Sequence, residues 1–154
     1  QELGFNYRLT DIQAALGLSQ LKRANKNLKR RKELVTKYNK ALAKIKNTDI
    51  LCPKVEKGIR HTFHLYEIQT EKRKELYNYL KIKGINCQIH YIPIHLQPYY
   101  KKMGWKKGDF PVAEKYYEKC LSLPLYPTLT NKQQDYVIKN IKNFLKLDKS
   151  IISH

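Results

Sequence analysis

Residues 61–92, HTFHLYEIQTEKRKELYNYLKIKGINCQIHYI, decide the fold. The first ten, HTFHLYEIQT, are rich in β-branched and aromatic residues and read as a strand. The next stretch, EKRKELYNYLKIKG, sets Leu76, Tyr79 and Leu80 at helical spacing, and Gly84 stands where a helix ends in a left-handed residue. INCQIHYI then reads as a second strand. Strand, helix and strand within about thirty residues predict a β-α-β unit, which favours a parallel or mixed sheet with helices packed on it.

Upstream, Thr10 and Gln13 have the spacing of a capping box, and Asp11 suits the first turn of a helix. Ile12, Ala15 and Leu16 make an apolar stripe that Leu18 and Leu21 continue. A second periodic run, roughly 24–46, puts Leu28, Val35, Tyr38, Leu42 and Ile45 on one face and mostly Lys and Arg on the other. The two runs read either as two helices or as one long, bent helix. Asn47 and Thr48 break the pattern, and Pro53 and Gly58 frame a loop.

Downstream, PIHLQPYYKKMGWKKGD (93–109) is a loop-rich excursion with a short helix near Pro98. Asp109 and Pro111 begin another helix that ends near Cys120. LSLPLYP (121–127) is extended, and because Pro124 and Pro127 each lack a ladder donor it is predicted as an edge strand or a strap. The last helix opens on a second capping box, Thr130 with Gln133, and turns Val137, Ile138, Ile141 and Leu145 inward. The expected architecture is α+β: a helical segment over 1–48, an α+β domain over 49–147 with a mixed β-sheet and helices packed on it, and a tail, 148–154, that frays.

A chain of 154 residues with 42% hydrophobic and 11% aromatic content can bury a core. No apolar run approaches the roughly 20 residues of a membrane span, so no membrane partner is expected. Cys52, Cys87 and Cys120 are odd in number and widely spaced, which argues against a disulfide framework and for a reducing, cytoplasmic setting. The net charge of +18 invites a nucleic-acid reading, but 25 of the 31 basic residues are Lys. Specific base reading favours the bidentate guanidinium. Spread Lys reads as solvated surface, so nucleic acid is not the expected partner. The densest run, LKRANKNLKRRKEL (21–34), could attract any polyanion, a nucleotide diphosphate included.

Side-chain chemistry is sparse. His61 and His64 are three apart, as are Cys87 and His90, but on strands such residues face opposite ways, so no metal site is expected. A nucleophile elbow, a Gly-rich phosphate loop and a His-Glu-x-x-His motif are all missing from the sequence, so no catalytic residue is assigned. His64 would share a strand face with Tyr66 and Ile68, and His90 one with Gln88, while His95 opens the loop that follows. Each reads either as a hydrogen-bonded structural imidazole or, for His90 and His95, as a donor to sugar hydroxyls or a diphosphate. Asn6 and Arg8 likewise allow two readings. One is a turn amide and an ion pair with Asp11 or Glu2; the other is anion capture beside a helix start.

The stretch ELGFNYRLTDIQAALGLSQL (2–21) closely resembles the segment leading into the C-terminal part of the nucleotide-sugar aminotransferases of the DegT/DnrJ type, which are pyridoxal-phosphate enzymes of fold type I. HTFHLYEI, INCQIHYIPIHLQPYY and FPVAEKYYEKCLSLPLYPTLTNKQQDYVI follow in the family's order, so the resemblance reaches about Leu147. HYIPIHLQPYY together with QELGFNYRLTDIQAALG is most similar to the branch that makes pseudaminic-acid precursors, the UDP-4-amino-4,6-dideoxy-N-acetyl-L-altrosamine transaminases.

The resemblance implies the small C-terminal domain of such an enzyme behind a long helical element. It implies pyridoxal 5'-phosphate as cofactor, a UDP-linked 4-keto-deoxysugar and glutamate as substrates, and a homodimer. Asn6 would reach the cofactor phosphate of the partner subunit, with Arg8 on the same border. His90, His95 and Tyr99 would lie near the sugar-nucleotide pocket, and His64 is a weaker candidate. The family's Schiff-base Lys, its pyridine-binding Asp and its stacking ring lie upstream of the segment matching 2–21. The expectation is therefore a C-terminal portion that does not transaminate alone. The alternative is a stand-alone basic module that binds nucleic acid or another polyanion.

Overall fold

The computed structural model describes residues 4–5, 7–45 and 48–152, with side chains described as far as Leu147. Helix α1 spans Asp11–Ala43 without a break, so the two periodic runs are one helix. Its capping box forms as expected: Thr10 Oγ1 accepts from the Gln13 amide at 3.3 Å, and Gln13 Oε1 accepts from the Thr10 amide at 2.9 Å. The two halves of α1 differ in environment. Leu34, Val35, Tyr38 and Leu42 are buried in the core, whereas Ile12, Leu16 and Leu21 are 83%, 61% and 71% exposed.

Strand β1 (Tyr66–Gln69) pairs antiparallel with β2 (Cys120–Leu123), with Tyr66 opposite Leu123 and Ile68 opposite Leu121. Single bridges extend this ribbon on both sides: Leu51 joins Gln69, and Gln88 joins Ser122. The segment after α2 (Arg73–Ile82) therefore runs in the direction of β1, as a β-α-β unit requires, but β2 lies between them. The expected second strand, 85–92, contributes only the bridge at Gln88.

The expectation of an edge strand or a strap over 121–127 is corrected in part. Cys120–Leu123 form β2, all four residues buried, which lies between β1 and the bridge at Gln88, and 124–127 run on as a strap. The reason lies in the proline positions: Pro124 and Pro127 fall after the last ladder residue, so their missing N–H groups remove nothing from the ladder.

Three further helices complete the order: α3 (Pro98–Lys102), α4 (Pro111–Lys119) and α5 (Asn131–Ile152). Helix α5 carries past Leu147 to Ile152. Its start has the second capping box, with Gln133 Oε1 accepting from the Thr130 amide and Thr130 Oγ1 from the Gln133 amide. Helix α2 packs on α5, α5 on α1, and α4 against β1. Gly84, at φ +70°, ends α2 in the left-handed region that glycine enters without a Cβ clash.

Polar ties between α1 and the sheet layer fix how the helix sits. Tyr38 stacks on Tyr66 at 4.8 Å between ring centroids and donates its hydroxyl to the Pro124 carbonyl at 3.0 Å. Tyr66 donates to Asn39 Oδ1 at 2.6 Å. Gln134 of α5 donates its side-chain amide to the Leu34 carbonyl at 2.7 Å. The C-terminal half of α1 is thus part of the core.

Candidate functional site

The segment leaving Gly84 alternates: Ile85 and Cys87 are buried, Asn86 and Gln88 exposed. That alternation puts His90 on the same side as Gln88, and the bridge between Gln88 and Ser122 brings β2 alongside. His90 Nδ1 lies 2.8 Å from Ser122 Oγ, and its Nε2 lies 2.9 Å from Gln88 Oε1. The amide oxygen only accepts, so Nε2 carries the proton and Nδ1 accepts from the Ser122 hydroxyl. This cluster borders a hollow of about 240 Å3 that Leu65, Pro124 and Tyr126 also line. With both ring nitrogens engaged, His90 offers a visitor its ring, which also meets Tyr91 edge-on at 4.5 Å.

His95 sits in a short 3-10 turn, Ile94–Leu96, and is buried. Its Nε2 donates to Glu114 Oε1 at 2.8 Å, and its ring packs on Phe110 at 4.8 Å. Glu114 also accepts from the Gly108 amide at 2.8 Å and the Phe110 amide at 3.4 Å. One carboxylate therefore ties the 3-10 turn to the loop before α4. Burial alone pushes the Glu114 carboxyl up, but the donors from His95, Gly108 and Phe110 outweigh it and hold the group below the ordinary carboxylate value.

Linkage gives the sign. A depressed carboxyl contributes stability above its unfolded value and loses that contribution as pH falls through its folded value. Glu114→Gln is expected to lower Tm at pH 7, and the two Tm curves should converge in acid as the native carboxyl protonates. Thermal melts of both proteins from pH 7 to pH 3 check this; a gap that stays constant contradicts it.

The other sequence-nominated residues lie apart from this cluster. Tyr99 is on α3, 64% exposed and edge-on to Tyr100 at 5.3 Å. His64 precedes β1 and is exposed rather than sharing the buried face of Tyr66 and Ile68. Its carbonyl accepts from Arg31. Arg8 is exposed in the segment entering the Thr10 cap, and Asn6 lies outside the described residues. The structure thus joins His90 to Gln88 and Ser122, while His95 is not among the residues lining their hollow. Sequence reasoning missed Ser122 and Glu114. An acidic residue in the first turn after Pro111 was the only available signal for Glu114, and its partner His95 is nineteen residues away.

No group of three or more His, Cys, Asp or Glu among the described residues is placed to hold a metal ion. The thiols are not set up as nucleophiles: burial pushes Cys87 up to about 12, and burial followed by Glu67 raises Cys120.

The fold has counterparts among solved structures. DesV of S. venezuelae superposes with a TM-score of 0.87 at 32% identity, over 94% of this chain and 38% of its own. The chain belongs to the DegT/DnrJ/EryC1/StrS aminotransferase family, whose model matches residues 1–142. It is 39% identical to the spore coat polysaccharide biosynthesis protein SpsC of Bacillus subtilis, over 93% of this chain and 38% of that protein. It is 32% identical to the UDP-4-amino-4,6-dideoxy-N-acetyl-beta-L-altrosamine transaminase of Campylobacter jejuni, over 94% of this chain and 39% of that enzyme. The chain therefore spans less than half the length of these relatives.

Aminotransferases of this family use pyridoxal phosphate. Such a site needs a Lys amine, a carboxylate for the ring nitrogen and donors for the phosphate. The cavity of about 640 Å3 between Gly84 and the start of α5 comes nearest in composition, with Lys132, Lys139, Asp135 and Tyr136. There, however, Asp135 pairs with Lys37 at 2.7 Å and the Tyr136 hydroxyl donates to the Lys83 carbonyl at 3.2 Å. The described residues by themselves do not fit the cofactor.

Proposed function

We propose that this chain serves as the C-terminal part of a pyridoxal-phosphate aminotransferase that aminates the 4-keto carbon of a UDP-linked deoxysugar with glutamate as donor. The observation that carries the reading is the continuous match of residues 1–142 to one aminotransferase family, at 32% identity to an enzyme acting on a UDP-linked amino sugar. On this reading the hollow beside His90, Gln88 and Ser122 faces the sugar nucleotide, with Tyr99 further out on α3. His95 acts through Glu114 as a positioning residue for the loop that carries Phe110. Asn6 and Arg8 face the cofactor phosphate of a second subunit in a homodimer, and the exposed apolar side of Ile12, Leu16 and Leu21 supplies contact area for the rest of the enzyme. The segment 1–48 is then a linking helix whose second half joins the core of the small domain, 49–147, and 148–154 is a tail.

The Schiff-base Lys is not part of this chain, and the chain alone does not transaminate. Mixed with pyridoxal phosphate and then treated with borohydride, the purified protein should show only scattered, substoichiometric modification of exposed Lys. One pyridoxyl group fixed stoichiometrically to a single Lys would overturn the claim. Co-expression with the Lys-bearing domain of a relative should restore glutamate-dependent amination of the sugar nucleotide.

A further inference from the structure

The outer side of α1 carries a continuous basic track that the aminotransferase reading does not use. Two adjoining hollows, of about 690 and 460 Å3, share Lys29 and Lys32 as lining residues. The larger continues along the helix through Lys40 and Lys44 and is joined from α5 by Lys142. The smaller ends at Arg60 and His61, beside Asn25. The positions 29, 32, 40 and 44 recur on one helical face, so the cations point the same way. From Asn25 to Lys44 the track is about 28 Å long, at roughly 1.5 Å per helical residue.

Charge on this face is not balanced locally. Glu33 is its one lining carboxylate, and Arg30 already engages it at 3.4 Å. Lys37 is paired outward to Asp135. Among the described residues, Lys29, Lys32, Lys40, Lys44, Lys142 and Arg60 have no carboxylate partner.

The lining chemistry selects among polyanions. The apolar face of this half of α1, Leu34, Val35, Tyr38 and Leu42, is buried in the core, so the helix has nothing to insert into a bilayer. Apart from the imidazole of His61, the lining offers no ring on which an unpaired base could stack. Lys ammonium groups with one Arg supply point charges that position phosphates and do not read base edges. A straight row of such charges matches the regular phosphate backbone of a duplex, about eight base pairs over this length at roughly 3.4 Å each.

We infer that this track is a docking surface for the phosphate backbone of double-helical nucleic acid, engaged without sequence preference. The test is fluorescence anisotropy of the full 154-residue chain with a labelled 24-base-pair DNA duplex between 50 and 300 mM salt. With about five phosphates neutralised, log K should fall against log salt with a slope of about −4.5. The variant Lys29→Glu/Lys32→Glu/Lys40→Glu/Lys44→Glu should lose at least about 30-fold in affinity at 100 mM salt and most of the slope. The charge-matched control Lys54→Glu/Lys57→Glu/Lys101→Glu/Lys102→Glu changes exposed residues off the track and should lose less than about 3-fold. Circular dichroism should show both variants folded. Equal losses in the two variants would mean that net charge alone attracts DNA and would overturn the assignment. So would absent binding at 100 mM salt, tighter binding to a single strand of the same length, or full displacement of the duplex by anionic phosphatidylserine vesicles.

Discussion

Tyr38→Ala is expected to destabilise the chain by about 4 kcal/mol, a large part of the roughly 5–15 kcal/mol that holds a domain folded. Tyr38 is fully buried on the inner face of α1, its ring lies on Tyr66, and its hydroxyl holds the Pro124 carbonyl just beyond β2. Truncation removes the ring from Tyr66 and the hydroxyl from Pro124 at once and leaves a cavity where helix, sheet and strap meet. Tyr38→Phe separates the contributions: the ring stays, one buried carbonyl loses its donor, and the loss should be about 1 kcal/mol. Burial also raises the Tyr38 phenol well above its ordinary value, so the hydroxyl stays a donor across the usable pH range. Urea melts followed by far-ultraviolet dichroism measure both variants. If Tyr38→Ala costs less than about 2 kcal/mol, α1 does not share the core in the way described.

Arg31→Ala is the second large effect, expected at about 3 kcal/mol. Its Nη1 is within hydrogen-bonding range of three backbone carbonyls: Phe63 at 3.2 Å, His64 at 3.0 Å and Leu125 at 3.2 Å. These belong to the entry to β1 and the strap after β2, so one guanidinium joins both to α1. Phe63 has φ +50°, a left-handed conformation that a residue with a Cβ holds only when its surroundings impose it. Without Arg31 the carbonyls lose a charged donor and the Phe63 turn loses its restraint. Arg31→Lys keeps the charge but not the planar fork, and should recover less than half of the loss. Full rescue by Lys in a melt would show that charge, not geometry, is what the site needs.

Much of the local structure was legible from the chain. Both capping boxes, Thr10 with Gln13 and Thr130 with Gln133, form as their spacing predicts, because each is a contact between residues three apart. The left-handed Gly84 and the proline starts of α3 and α4 are equally local. The middle position of β2 was not legible: the prolines at 124 and 127 suggest an edge until the ladder shows that pairing stops at Leu123. His64 does not share the strand face its spacing suggests. Periodicity states which residues share a face but not where a strand begins, and β1 begins only at Tyr66.

By itself, then, the sequence determined where the helices lie, two capping boxes, the buried stripe in the second half of α1, and a family resemblance spread over four ordered segments. These rest on periodicity, short-range hydrogen bonds and residue identity, all of which are properties of neighbours along the chain. Only the tertiary structure decided that His95 is bound to Glu114 instead of facing outward, that both nitrogens of His90 are taken by Gln88 and Ser122, and that Arg31 ties three carbonyls together. Those pairings join residues that packing brings side by side. A polar group buried by packing takes whichever partner the fold supplies, since leaving it unpaired costs more than a net hydrogen bond contributes.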